Sequence, residues 1–184
     1  MAEVKILIEG YTTTDSEGEE RTCSTITLIK DGNNNIVVDP GVLESQQMLV
    51  DKLKEERLSV NDIDIVFLTH SHIDHYRNIG MFPEAKTLEY YGLWDKNTVQ
   101  DWEEQFSNDI KIIKTPGHSH NGLTFLIKTG DSIVAICGDV FWKKNFPEDD
   151  EYATDKEALN KSREIVLKSA DWIIPGHAGI FSTK

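Results

Sequence analysis

The apolar run in "DIVFL" (64–68) stops at "THSHIDH" (69–75), and that junction restricts the fold more than any other stretch of the chain. A nearly continuous apolar run of this length reads as a strand buried on both faces, the interior strand of a layered fold. Where it ends, three of the six histidines, His70, His72 and His75, appear together with Asp74. Residues two apart in an extended chain point the same way, so His70 and His72 share one side of the strand end. Asp74 and His75 follow a turn, where a new helix aims them from a second direction. Imidazole and carboxylate in such density suit zinc and other first-row divalent metals.

Further short β-type runs recur: "VKILI" (4–8), "STITLI" (24–29), "NIVV" (35–38), "IKII" (110–113), "LTFLI" (123–127), "IVAIC" (133–137) and "WII" (172–174). The "STITLI" run alternates as a half-exposed strand does, and "IVAIC" is continuous like a buried one. "KDGNNN" (30–35) and "KTGDS" (128–132) carry hairpin-turn chemistry. Helical spacing is read at 43–58 (Leu49, Val50, Leu53), at 98–106 (Val99, Trp102, Phe106) and at 155–170 (Leu159, Val166, Ala170). The last opens with Thr154 and Glu157 in capping-box spacing. "TTTDSEGEER" (12–21) and "FPEDDEY" (146–152) read as surface loops. With no internal repeat and no linker, residues 1–184 are expected to form one domain.

The net charge of -13 repels phosphate backbones and disfavours, without forbidding, a nucleic-acid partner. Two cysteines, Cys23 and Cys137, cannot make the disulfide framework of a secreted domain. The opening "MAEVKILIEG" is too short an apolar run for a signal peptide, and nothing approaches a membrane span. A cytoplasmic protein with no membrane partner and a small-molecule substrate is the expectation; the oligomeric state stays open.

The other ligand-type residues also lie where strand-like runs stop. His118 lies in "TPGHSH", His177 in "PGH" and Asp139 in "CGDVF". Four strand ends thus present histidine or aspartate, and strand ends at one edge of a layered fold are where a site assembles. The donors suffice for two metals.

"THSHIDH", "TPGH", "GD" and "PGH", in this order, resemble the motif set of the metallo-β-lactamase superfamily, and "VVDPG" (37–41) resembles its early strand-turn motif. The resemblance covers roughly residues 4 to 180. It implies an α+β fold, a four-layer αββα sandwich with the site at one sheet edge. By that likeness His70, His72 and His118 would bind one metal, Asp74, His75 and His177 a second, and Asp139 would bridge them. Asp74 and Asp139 are the carboxylates assigned to catalysis, and Asp39 would orient the metal loop. An aspartate at 139, where the true β-lactamases commonly have cysteine, resembles the glyoxalase II-like and nuclease-like branches. "EGY…TLI…VVDPG" is similar to small stand-alone members. The C-terminal helical domain with which glyoxalase II enzymes hold a glutathione thioester is not in the sequence, which counts against that substrate.

Two divalent ions, zinc first, with iron or manganese fitting the same donors, would lower the pKa of water toward about 7. The expected activity is dinuclear hydrolysis of a thioester, ester or lactone by a hydroxide bridging the metals. The alternatives are a metal-dependent nuclease or phosphodiesterase, a mononuclear-iron dioxygenase, and a metal-binding module. His120 falls at a non-ligand position, and Cys137 is expected in the core. Tyr11, Lys143, Lys144 and the aromatic run "EYYGLWD" (89–95) are candidate substrate contacts.

Overall fold

The computed structural model describes residues 1–184. The chain opens with β1 (Glu3–Ile8), then a separate hairpin of β2 (Tyr11–Thr14) and β3 (Glu20–Cys23), then the hairpin β4 (Ile26–Asp31) and β5 (Asn34–Val38). Helix α1 (Gln47–Glu55) precedes β6 (Ile65–Phe67), the one-turn α2 (Ile73–Tyr76), β7 (Lys86–Glu89), β8 (Gly92–Asp95) and β9 (Thr98–Gln100). The second half contains β10 (Ile110–Lys114), β11 (Leu123–Thr129), β12 (Ser132–Ile136), α3 (Lys156–Ser169), β13 (Trp172–Ile174) and β14 (Phe181–Ser182).

Two mixed sheets result. One runs β1-β4-β5-β6-β7-β8-β9, with β6 parallel to both neighbours; the other runs β10-β11-β12-β13-β14, with only β12 and β13 parallel. Period-2 alternation divides their side chains into three apolar layers. Phe67, Ile36 and Val38 point inward and meet Ile112, Phe125 and Ile127 of the second sheet. Val66, Leu68 and Val37 point outward to Leu49 and Leu53 of α1. On the far side Ala135 and Ile173 are covered by Leu159 and Val166 of α3. Helix, sheet, sheet and helix follow in order, the expected αββα sandwich.

Several local expectations need correction. The residues at 98–106 are not helical: Thr98–Gln100 form the edge strand β9, with Val99 exposed. Trp102 and Phe106 still reach the inter-sheet layer, and the Trp102 indole donates to the Glu89 carbonyl at 2.9 Å. Three apolar residues in nine cannot by themselves distinguish a helix stripe from a strand that turns back. The "STITLI" strand is not half-exposed, since Ile26 to Ile29 are all buried between α1 and the second sheet. "TTTDSEGEER" is mostly the β2–β3 hairpin and not a simple loop. The N-cap of α3 is Asp155, whose carboxylate accepts from the Ala158 amide at 3.0 Å, while the Thr154 hydroxyl donates to the Gly117 carbonyl at 3.1 Å.

Phe67 is fully buried, stacked on Phe125 at 4.5 Å and edge-on to Phe106 at 5.0 Å. Phe67→Ala should destabilise the fold by about 3–5 kcal/mol, read from the urea midpoint at constant m-value. A loss below about 1 kcal/mol would show that the inter-sheet layer is not the main core.

Candidate metal centre

Asp39 directly follows β5 with φ +49°, a left-handed conformation rare for a residue with a side chain. Its carboxylate accepts from the Thr69 amide (2.8 Å), the Thr69 hydroxyl (2.6 Å) and His75 Nδ1 (2.8 Å). These bonds tie the end of β6 to α2, and they agree with the orienting role expected of Asp39. His72, with extended backbone angles, is the N-cap of α2, so His70 and His72 come from the segment between β6 and the helix, and Asp74 and His75 from the helix itself.

His118 follows Gly117, whose φ is +135° and where a Cβ would come within 2.2 Å of the Leu159 backbone. Asp139 lies in a short turn after β12, and His177 follows β13 through Pro175 and Gly176. A Cβ at Gly176 would come within 1.9 Å of Asp139 Oδ1, so glycine there makes room for the carboxylate.

The structure brings all seven expected residues together in two clusters. His70, His72, His118 and Asp139 offer donor atoms within 4.8 Å of one another, and Asp74, His75 and His177 do the same. His72 Nδ1 lies 3.0 Å from His70 Nε2 and 2.9 Å from His118 Nε2. Asp139 lies between the clusters: Oδ2 is 3.3 Å from His118 Nε2, and Oδ1 is 3.2 Å from both His75 Nε2 and His177 Nε2.

The outer ring nitrogens are spoken for. His75 Nδ1 donates to Asp39, His118 Nδ1 to Asp150 at 2.7 Å, and His177 Nδ1 to the Cys23 carbonyl at 3.0 Å. Each such bond leaves a lone pair on the inward Nε2. Lone pairs therefore face lone pairs and a carboxylate, and His75 Nε2 and Asp139 Oδ1 are buried without any hydrogen-bond partner. Buried polar atoms left unpaired are costly, and a cation is the species that would satisfy this set. The donors fit divalent metal.

The electrostatics point the same way. Burial disfavours charge on His75, but Asp139 and Asp39 outweigh it and raise its proton affinity well above the ordinary imidazole value. Burial likewise opposes ionisation of Asp139, yet His75 and His177 hold its carboxyl well below the usual range. Burial, reinforced by neighbouring imidazoles, lowers His70 and His72. This is a centre that demands positive charge in its middle.

A cleft of about 310 Å³ opens over the clusters, lined on its far side by Trp142 and Tyr152. A larger hollow, about 820 Å³, lies between Tyr90, Trp102 and Lys114 and contains none of the seven residues. Tyr90 and Tyr91 of the aromatic run line that hollow and not the metal cleft, a correction to the expected pocket wall. Neither Tyr11, Lys143 nor Lys144 lines the cleft; Thr12, Glu20 and Thr22 of the β2–β3 hairpin do. Lys143 Nζ instead sits 4.5 Å over the Phe146 ring. His120 is exposed, with the Tyr91 hydroxyl 3.4 Å away. Cys137 is buried in the α3 layer, and burial pushes its thiol up, so it is packing.

Sequence reasoning missed Asp150, Thr69 and Thr22. Asp150 lay in a stretch read as surface loop, yet it is buried. Nothing in "FPEDDEY" distinguishes it from its acidic neighbours; only the fold shows that it meets His118. The Thr22 hydroxyl donates to Asp74 Oδ2 at 3.0 Å.

Comparison with known proteins decides the family. The model of the metallo-β-lactamase superfamily matches residues 24–96. A probable metallo-hydrolase of Methanocaldococcus jannaschii is 31% identical over 153 residues, covering 79% of this chain and 71% of that protein. The chain belongs to the metallo-β-lactamase superfamily. Metallo-beta-lactamase domain-containing protein 1 of Xenopus laevis is 28% identical, covering 97% of this chain and 80% of that one, in keeping with the likeness to small superfamily members. A Thermotoga maritima structure assigned to the metallo-β-lactamases superposes with a TM-score of 0.77 at 23% identity, covering 98% of this chain and 99% of that chain. AidC, a dizinc quorum-quenching lactonase, superposes with a TM-score of 0.67 at 17% identity over 89% of this chain and 76% of its own. Both superpositions show the superfamily fold.

The geometry separates the two neighbouring histidines, His118 and His120. His118→Ala should lose bound metal, while His120→Ala should retain it; equal loss in both would overturn the assignment. Asp150→Asn should weaken metal binding about 10–100-fold without unfolding the chain, measured by competition with a chromophoric chelator.

Proposed function

We propose that this chain is a dinuclear metal-dependent hydrolase acting on a thioester, ester or lactone. The observation that carries the reading is the convergence of seven donors on two adjacent centres, with the Asp139 carboxylate between them, 3.3 Å from His118 Nε2 and 3.2 Å from both His75 Nε2 and His177 Nε2. His70, His72 and His118 would hold one ion, Asp74, His75 and His177 the other, and Asp139 would serve both. Zinc suits these nitrogen and oxygen donors, and the dizinc lactonase among the structural neighbours supports that choice. When bound, such ions supply hydroxide at neutral pH and polarise the carbonyl under attack.

The residues of the chain do the rest. Asp39, Asp150 and the Cys23 carbonyl fix the imidazole tautomers, so the donors need no reorganisation when metal arrives. Asp74 lines the cleft, and its Oδ1, the oxygen that Thr22 does not engage, is assigned to take up a proton during turnover. Trp142 and Tyr152, stacked at 5.7 Å, form a flat wall beside the clusters against which a substrate can lie. The phosphodiesterase alternative fits less well, because no lysine or arginine lines the cleft and the chain carries a net charge of -13.

Metal-stripped protein reconstituted with zinc should bind two ions per chain by elemental analysis. Saturation at one would sink the dinuclear reading and favour the mononuclear alternative. Asp139→Ala removes a donor from both centres. It should bind fewer ions and lose about a thousandfold in rate on any substrate found, the equivalent of several kcal/mol, with the circular dichroism spectrum unchanged. Turnover at the unmodified rate would show that Asp139 does not bridge.

A further inference from the structure

The outer rim of the metal cleft carries a second set of groups that the hydrolytic chemistry does not use. In β3, Thr22 faces the clusters, as its bond to Asp74 shows. Glu20 lies two residues earlier in the same strand, on the same side and about 7 Å farther out. Its carboxylate accepts from the Thr12 hydroxyl at 3.2 Å and the Tyr152 hydroxyl at 3.3 Å. Tyr152 stacks on Trp142, and Trp142 in turn lies 6.2 Å from the His118 ring and 6.0 Å from the His177 ring. A continuous path thus leads from the metal ligands along an aromatic wall to a carboxylate. No cation lines it.

We propose that Glu20 is a specificity-determining residue, and that the cleft takes substrates whose acyl portion ends in an ammonium or other N–H donor group and rejects those ending in a carboxylate or phosphate. This rests on the hydrolase reading above. An ionised carboxylate has about four lone-pair positions, so two remain for a ligand after Thr12 and Tyr152 are served. The Tyr152 hydroxyl stays a donor to Glu20, because that carboxylate foremost, and burial after it, push its phenol up. The aromatic faces beside Glu20 add attraction for a cation and none for an anion. The spacing suits a short acyl chain, with its carbonyl end at the clusters and its amine at the rim.

The test uses the zinc-loaded chain and three acids that mimic hydrolysis products: 6-aminohexanoate, hexanoate and adipate. Calorimetry should rank them in that order, with 6-aminohexanoate about tenfold tighter than adipate, the spread of one attractive and one repulsive exposed charge pair. Glu20→Gln should shrink the spread below about threefold, and Glu20→Lys should invert it. Glu19→Gln, which makes the same change in net charge on an exposed neighbour, should leave the spread intact. Equal binding of the three acids, no binding of any, or an unchanged spread in Glu20→Gln would each overturn the proposal. The corresponding thioesters separate this from the parent reading. A preserved spread without hydrolysis would strike the hydrolase assignment and leave Glu20 standing; hydrolysis without a spread would strike Glu20 alone.

Discussion

The carboxylate of Asp39 is the point on which the site depends. It sits at the end of an interior strand, in a left-handed conformation, and accepts from the backbone and hydroxyl of Thr69 and from His75. Those three bonds hold the end of β6 and the start of α2 in a fixed relation, so histidines from a strand and from a helix can face one centre. Backbone strain of about 1–3 kcal/mol persists only where surrounding contacts over-determine it. Here the neighbouring Asp39 amide donates to the Phe67 carbonyl at 2.9 Å, which anchors the turn to the strand beside it.

The same principle repeats around the clusters. Asp150 does for His118 what Asp39 does for His75, and the Cys23 carbonyl does it for His177. Each outer acceptor comes from a different part of the chain, so folding itself aims the donors. A centre built this way holds its lone pairs in place before any ion arrives, which lowers the reorganisation cost of binding. Glycine is required at positions 117 and 176 for the plainer reason that Leu159 and Asp139 occupy the space a side chain would need.

The acidity of the chain gains meaning beside this geometry. A net charge of -13 would be an ordinary solubility feature on a surface. Here the two donor clusters include Asp74 and Asp139, and the rim adds Glu20, with no lysine or arginine among the cleft's lining residues. The field over the opening therefore favours cations at both its floor and its mouth.

Much of this was legible in the sequence. The apolar runs located most of the interior strands, because a strand buried on both faces has no polar positions to disguise it. The order of histidines and aspartates at strand ends named the seven residues that the fold gathers into two clusters, because imidazole and carboxylate are few in kind and stand out where apolar runs stop. The short strands β7 and β8, the edge strands β9 and β14 and the β2–β3 hairpin escaped, since short, half-exposed strands carry little periodicity. Tertiary structure alone decided which acidic residues matter. Asp150 and Glu20 sit among exposed acids in the chain, and only the packing of the 146–155 segment against both the His118 turn and the β2–β3 hairpin, across long sequence separations, makes one a partner of His118 and the other a rim to the cleft. Residue type and spacing carry the chemistry of the donors, but the partner that fixes each donor is chosen by packing in three dimensions.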